Sequence, residues 1–576
     1  MKNRELANLF YKISELLSLK GENLFRIRAY EKAAQIIESL PQAIEEITDK
    51  NDLLKIPGIG ESIAEKIIEY NSTGSIVYLE ELKKEFPEGL LEIMSIPGVG
   101  PKKAKIIFDK LKISDINELR KSAQEGLLND LPGFGEKTAK NILQGIELKE
   151  KSTGRILLFD AIKTADEIIE QLQKCNEIQK ISPAGSLRRK KETIGDIDIL
   201  CTVKKGKEKY IMELFTKLPV VDKIIALGET KSSIITKENI QVDLRVVNNM
   251  QYGAALQYFT GSKQHNIKLR ELANKMNLTI NEYGIFKKDK KNVPIASKTE
   301  EEIYNTLGLQ YIPPELREDI GELELAAKNS LPKLVERKDI KGDTHVHSKY
   351  SDGSNKIEEI LDKAIELNLE WVIICDHSQS LKIARGVSVK DMYKKIDEIR
   401  KINSKNNKVK IICGAEIDIL SDGTLDYDDE LLKEIDYVIA AIHTGFKQTE
   451  EQITERVLRA FQNKYVHAFA HPTGRLLGKR NPYQININKI LETAKKYNIM
   501  LEINAFPERL DLPDIYCKKA KEIGVSMVIG TDAHSTEQME YIDLGVYVAR
   551  RGWLEKKNLV NTLSYDELIK VIKSRR

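Results

Sequence analysis

The chain has 576 residues, 41% hydrophobic and 31% charged, with 91 Lys and Arg against 88 Asp and Glu for a net charge of +3. That length fills two to four domain cores, and the near-neutral balance excludes bulk basicity as the source of any nucleic-acid affinity. No apolar run approaches the roughly 18 residues of a membrane span, and MKNRELANLFYKISELL lacks the core of a signal peptide, so a cytoplasmic protein is expected.

In chain order, Leu6, Leu9, Phe10, Ile13, Leu16 and Leu17 follow the spacing of an amphipathic first helix. Three segments then align without a gap: IPGIGESIAEKI (56–67), IPGVGPKKAKII (96–107) and LPGFGEKTAKNI (131–142). Each reads apolar-Pro-Gly-x-Gly followed by a helix. Pro stops one helix, and the glycine pairs Gly58 and Gly60, Gly98 and Gly100, Gly133 and Gly135 let the backbone turn with its N–H groups exposed. The positive N-terminal end of the next helix points at the same spot, which makes a backbone phosphate cradle. The repeats resemble helix-hairpin-helix motifs, which implies a grip on the DNA backbone that reads no sequence.

The segment PAGSLRRKKETIGDIDI (183–199) places Gly185-Ser186 ten residues before Asp196-Ile-Asp198, and a third acid, Asp243, lies in IQVDLRVV. Alternation puts Asp196 and Asp198 on one strand face. Two unit charges ~4 Å apart repel by about 4 kcal/mol at an effective dielectric of 20, so clustered carboxylates need cations, and oxygen-only ligands suit Mg²⁺ or Mn²⁺. The Gly-Ser turn suits a triphosphate, with Arg189 or Arg188 on its outer charge, as in metal-dependent nucleotidyl transfer.

Further on comes YFTGSKQHNIKLR, Tyr258 to Arg270. Together GSLRR, DID, VDLR and YFTGS…N…R resemble a family X DNA polymerase over about the first 320 residues. The resemblance implies that Asp196, Asp198 and Asp243 hold the metals and that Gly185, Ser186 and Arg189 bind the triphosphate. It puts Tyr258, Phe259 and Gly261 in the sugar pocket, and Asn266 and Arg270 on the minor groove of the new pair. It also offers Lys66 as the Schiff-base lysine of a deoxyribose-phosphate lyase, the other reading being a phosphate contact. A Schiff-base amine must be neutral, and Glu61 and Glu65 beside it work against that. Arg26 and Ser62 stand where lyase-active relatives carry supporting lysines, although Tyr30 is kept.

From residue 340 onward apolar strands alternate with polar helices, which implies parallel strands in a closed or nearly closed barrel. THVHSKYSDG carries His345, His347 and Asp352; later strands end at His377, Glu416, His443, His471, Asn504, Asp532 and His534. The nine residues His345, His347, Asp352, His377, Glu416, His443, His471, Asp532 and His534 form one ring at the strand ends. Nine candidates exceed the ligands of one ion and imply two or three ions of Mn²⁺, Zn²⁺ or Fe. His265 and His467 fall outside the ring and read as core histidines. Residues 340–576 resemble the polymerase-and-histidinol-phosphatase (PHP) domain, a metal-dependent phosphoesterase.

The expected fold is multidomain α and α/β: a helical lyase-like domain (1–85), a helix-hairpin-helix region (86–148), a nucleotidyltransferase α+β palm (149–255), a nucleotide-selecting domain (256–320), a linker (321–338) and a (β/α)7-like PHP barrel (339–576). The function it implies is gap filling by a DNA-directed DNA polymerase that also processes 3′ ends or abasic sites. Its partners are gapped or nicked double-stranded DNA and deoxynucleoside triphosphates, with no membrane, and the protein is a monomer. The alternatives are a DNA-binding repair scaffold with a structural metal barrel, and a template-independent transferase, against which Asn266 and Arg270 argue. Five cysteines without CxxC spacing read as thiols of a reducing compartment.

Overall fold

The computed structural model describes every residue except 1, 41–43, 48, 57, 88, 95, 97, 98, 136, 137, 140, 141, 144, 147–153, 290–292, 407 and 576. The chain divides into two compact units, Met1–Gly154 and Arg155–Arg576. Among the described residues no helix is long and apolar enough to cross a membrane.

The first unit is helical. Its first helix, Lys2–Lys20, buries Leu6, Phe10, Ile13, Leu16 and Leu17 against Ile27, Tyr30, Ala33, Ala34 and Ile37 of the second, Leu24–Ser39. The two glycines of a repeat have different jobs. Gly58 and Gly133 have φ of 98° and 78°, in the region that favours glycine, and a Cβ on Gly58 would come 2.5 Å from Ile36 Cδ1. Gly60 and Gly100 instead cap the helices Glu61–Thr73 and Pro101–Leu111 with extended backbone, and a Cβ on either would meet nothing within 4 Å. Gly135 faces open space in the same way, and Gly98 lies outside the described residues.

The second unit opens with a short antiparallel pair, β1 (Ile156–Leu157) and β3 (Thr193–Ile194). A five-stranded sheet follows in the order β2 (Ile178–Pro183), β4 (Ile197–Val203), β7 (Gln241–Val246), β6 (Lys231–Thr236), β5 (Val221–Leu227). Its one parallel pair, β4 and β7, sets Asp198 directly beside Asp243. The helices Tyr252–Thr260, Lys263–Lys275 and Glu300–Thr306 then pack around the hairpin of β8 (Leu278–Asn281) and β9 (Gly284–Lys287).

Seven parallel strands come last, paired in chain order: β10 (Gly342–Val346), β11 (Trp371–His377), β12 (Lys410–Asp418), β13 (Tyr437–Ala441), β14 (Ala468–Phe469), β15 (Met500–Asn504) and β16 (Met527–Gly530). The ring closes beyond the strand ends, where Asp532 N donates to His345 O and His347 N to Ala533 O, both at 2.8 Å.

Residues 155–576 form one compact unit. The expected linker 321–338 holds the helix Glu322–Ala327, whose Leu323 and Ala326 are buried in a core that also contains Trp553. Apolar side chains at i and i+3 supply one buried stripe even within a charged run.

Candidate metal centres

Asp198 lies on β4, while Asp196 stands just before that strand rather than on it. Ala184 N donates to Asp198 O at 2.8 Å, and a Cβ on Gly185 (φ 58°) would come 2.3 Å from Asp198 Oδ2. Only glycine lets this turn pass so close to the carboxylate. Burial, then the charges of Asp196 and Asp243, push Asp198 up to about 7. Burial also acts on Asp243, but hydrogen bonds from Lys231, whose Nζ is 2.6 Å away, Gln241 and Ser233 outweigh it and lower its pKa. The donor set is all oxygen, and its mutual repulsion calls for cations.

The nucleotide-side candidates gather near this turn. Tyr258 and Phe259 meet edge to face at 5.2 Å, with the Arg245 guanidinium 4.4 Å over Phe259. Gly261 has φ of 63°. Asn266 donates to Tyr258 O and accepts from Gln257 Nε2, both at 2.7 Å, and Arg270 Nε donates to Asn266 O at 3.2 Å. The two arginines differ from expectation: neither points freely outward. Arg188 is paired with Glu300 at 2.7 Å, and Arg189 with Glu318 at 3.1 Å and the carbonyl of Thr260. Their acids come from residues 300–318, a partnership that local reading of GSLRR could not show.

In the first unit, Lys66 donates to Ser62 Oγ at 3.1 Å and lies 5.1 Å over the Tyr78 ring and 6.0 Å over Tyr30, while Arg26 also stacks on Tyr78. Glu65 is drawn off by Lys50 at 2.7 Å.

The barrel brings all nine expected residues together. Three groups place their donor atoms within 4.8 Å of one another: His347, Asp352, His377 and His534; His345, His347 and Asp532; His377, Glu416 and His443. His471 joins through Nε2, 2.9 Å from Glu416 Oε1. Shared members make the groups neighbours, as adjacent ions require.

Three imidazoles are oriented from behind. His345 Nδ1 is 2.6 Å from Glu502, His443 Nδ1 2.6 Å from Asp418, and His534 Nδ1 2.8 Å from the Asp532 carbonyl. Each bond turns the Nε2 lone pair into the cavity. Glu502 also accepts from Asn504 Nδ2, and Arg509 lies 3.3 Å from Asp532. Glu502 and Asp418 were missed in the sequence, although each sits two residues from a named position, Asn504 or Glu416, and so on the same strand face. Asp376, on the opposite face, holds Ser348, Ser351 and buried Lys395 and thereby anchors the loop that carries Asp352.

The residues fit metal ions. The buried atoms His347 Nδ1, His377 Nδ1, His471 Nδ1 and Glu416 Oε2 have no hydrogen-bond partner among the described residues, and His377 Nδ1 and Glu416 Oε2 face each other at 2.8 Å without bonding. Buried polar atoms left this way are costly unless they are ligands. The ring histidines divide: burial disfavours charging His345, but Glu502, Glu416 and Asp532 outweigh it and raise its pKa, whereas burial and the neighbouring His534 and His377 push His347 down to about 3. Mixed imidazole and carboxylate donors suit Mn²⁺, Zn²⁺ or Fe. His265 and His467 are buried outside this ring, His265 against Glu322 and Tyr304, His467 accepting from Val438 N.

Family models match in chain order: a helix-hairpin-helix domain over residues 1–76, a SAM-like helix-hairpin-helix tandem over 90–149, the DNA polymerase beta palm over 159–260, the DNA polymerase beta thumb over 255–318 and a PHP domain over 343–506. The chain is 38% identical over 570 residues to the DNA polymerase/3'-5' exonuclease PolX of Bacillus subtilis (strain 168), covering 99% of both. It is 28% identical over 232 residues to a probable phosphatase of Thermoanaerobacter sp. (strain X514), 38% of this chain and 89% of that one. It is 23% identical over 336 residues to the DNA polymerase lambda of Rattus norvegicus, 53% of this chain and 54% of that one.

Proposed function

Because the chain belongs to the family X DNA polymerases that carry a C-terminal PHP domain, we propose that it fills short gaps in DNA and trims 3′ ends with a second, separate metal centre. It acts as a cytoplasmic monomer on gapped or nicked duplexes, with deoxynucleoside triphosphates as the second substrate. The observation that carries this reading is the coexistence in one chain of a Gly185 turn against paired Asp198 and Asp243 and a barrel mouth lined by nine metal-type donors.

At the first centre Asp196, Asp198 and Asp243 would hold Mg²⁺ or Mn²⁺, which when bound neutralises the triphosphate and activates the primer hydroxyl. Ser186 and the Gly185 backbone orient the phosphates, and Arg189 meets their outer charge. Tyr258, Phe259 and Gly261 wall the sugar pocket, where the aromatic pair leaves little room for a 2′-hydroxyl. Asn266 and Arg270 test pair shape through the degenerate minor-groove acceptors. The open glycines of the repeats admit DNA phosphates to the backbone, and Lys66 serves the deoxyribose-phosphate end of a gap as a phosphate contact or a Schiff-base amine.

At the second centre the nine barrel residues would hold two or three ions, which when bound supply hydroxide near neutral pH and charge for the phosphodiester. Glu502, Asp418 and the Asp532 carbonyl fix the imidazoles that face them. The scaffold alternative would require neither the Gly185 turn nor unpartnered donor atoms.

The test is a one-nucleotide-gapped duplex, incubated with and without nucleotides, with Asp243→Ala beside the parent. The parent should lengthen the primer with nucleotides and shorten it without them, and the variant should lose only lengthening. Extension by the variant at the parental rate would refute the assignment of the first centre.

A further inference from the structure

The loop after the Gly185-Ser186 turn carries four consecutive cations, Arg188 to Lys191, followed by Glu192. Unaided, such a run repels itself and splays. Here every member is fastened to a distant part of the second unit. Arg188 pairs with Glu300 at 2.7 Å, Arg189 with Glu318 at 3.1 Å, and Lys191 lies 3.9 Å from the same Glu318. The barrel supplies the remaining anchors. Lys190 Nζ sits 4.3 Å over the Tyr547 ring, and Arg475 Nη2 donates to Glu192 at 2.7 Å.

Arg551, at the end of the barrel helix Ile542–Arg551, fastens the loop at two points. Its Nη1 donates to the Arg189 carbonyl at 2.8 Å and to Glu318 at 3.0 Å, and its Nη2 lies 2.7 Å from Asp514. One guanidinium therefore fixes both the backbone of Arg189 and the acid on which the Arg189 side chain rests. The adjacent Arg550 bonds Glu315 at 2.7 Å, so the same helix end also holds the segment that presents Glu318.

We infer that the barrel is a working part of the nucleotide site, with Arg551 and Arg475 acting as positioning residues for the loop that delivers Arg189 to the incoming triphosphate. This rests on the reading that Arg189 meets the triphosphate. To do so Arg189 must exchange Glu318 for phosphate, which strands a buried carboxylate unless another cation remains on it. Arg551, hydrogen-bonded to Glu318 at 3.0 Å, is the closer of the cations that remain, with Lys191 at 3.9 Å beside it. Without it Glu318 would compete with the nucleotide for Arg189, and the Arg189 backbone would lose its anchor.

The experiment measures steady-state gap filling against nucleotide concentration for the parent, Arg551→Met, Arg551→Lys, Glu192→Gln and the double variant Arg551→Met/Glu318→Gln. Arg551→Met should raise the nucleotide KM by about tenfold, the scale of one lost charged hydrogen bond, with kcat and primer shortening near parental. Arg551→Lys should recover part of that loss, and the double variant should recover part by removing the competing charge. Glu192 is 38% exposed, and Glu192→Gln reduces its ion pair with Arg475 to a neutral hydrogen bond, which should raise KM by a smaller factor. A folded Arg551→Met with parental KM overturns the inference, as does a loss confined to kcat, primer shortening and thermal midpoint. Should Arg551→Met fail to fold, a parental KM in Glu192→Gln overturns it. A parent unable to extend the gapped primer would instead refute the polymerase reading itself.

Discussion

His345 Nδ1 and Glu502 Oε1 lie 2.6 Å apart, with both side chains fully buried beneath the barrel mouth. A carboxylate placed behind an imidazole fixes its tautomer and makes Nε2 a better donor. Glu502 accepts from His471 N at 2.6 Å as well, so it braces two of the nine candidates. Glu502→Gln should therefore lower metal affinity by about 10- to 100-fold, the range for such supporting groups. Elemental analysis after dialysis against graded chelator checks this, and parental metal retention would assign Glu502 to packing alone.

His345→Ala with His347→Ala removes two donors whose Nε2 atoms are 3.1 Å apart. At least one ion position should empty and nearly all primer shortening should stop, while extension persists because the carboxylate centre needs no imidazole. Bound metal and both activities are measured on one gapped duplex. Unchanged metal content with intact shortening would move the nuclease elsewhere.

Gly60→Val and Gly100→Val place a side chain where a Cβ meets nothing within 4 Å, on extended backbone that valine adopts readily. Folding should be untouched. DNA binding should weaken by severalfold to about tenfold if the bare backbone meets phosphate, and by the same factor for unrelated sequences. Fluorescence anisotropy on several duplexes reads both quantities; a loss that varies with sequence would argue for another role.

Glu300 is buried between Arg188 and Arg317; burial works to raise its pKa, but the two guanidiniums win and hold it down to about 2 from an ordinary 4.5. A carboxylate with a depressed folded pKa contributes stability that is present above about pH 4.5 and lost as pH falls toward 2, here on the order of 3 kcal/mol in all. Between about pH 5 and about pH 3 the thermal midpoint of the parent should thus fall more steeply than that of Glu300→Gln, which is less stable at the start because Arg317 loses its buried partner. Equal slopes in differential scanning calorimetry would show that the pair carries no net linkage.

The sequence by itself determined the features written in short range. The three glycine repeats, the amphipathic first helix, the D-x-D pattern and the polar residues spaced about one β-α unit apart are all local periodicities, and a parallel strand succession carries its end residues to one mouth whatever the helices between them contain. Tertiary structure decided what depends on distant partners. Glu502 and Asp418 become braces only because β10, β12, β13 and β15 converge, and the separate jobs of the two glycines in the first and third repeats follow from backbone angles and neighbours that PGxG does not specify. Most distant is the fastening of Arg189, whose carbonyl and counter-ion Glu318 meet an arginine 362 and 233 residues away in sequence. No local period encodes such a pairing; it exists because burying the cations of the 188–191 run demands carboxylates, and only the folded unit brings them there.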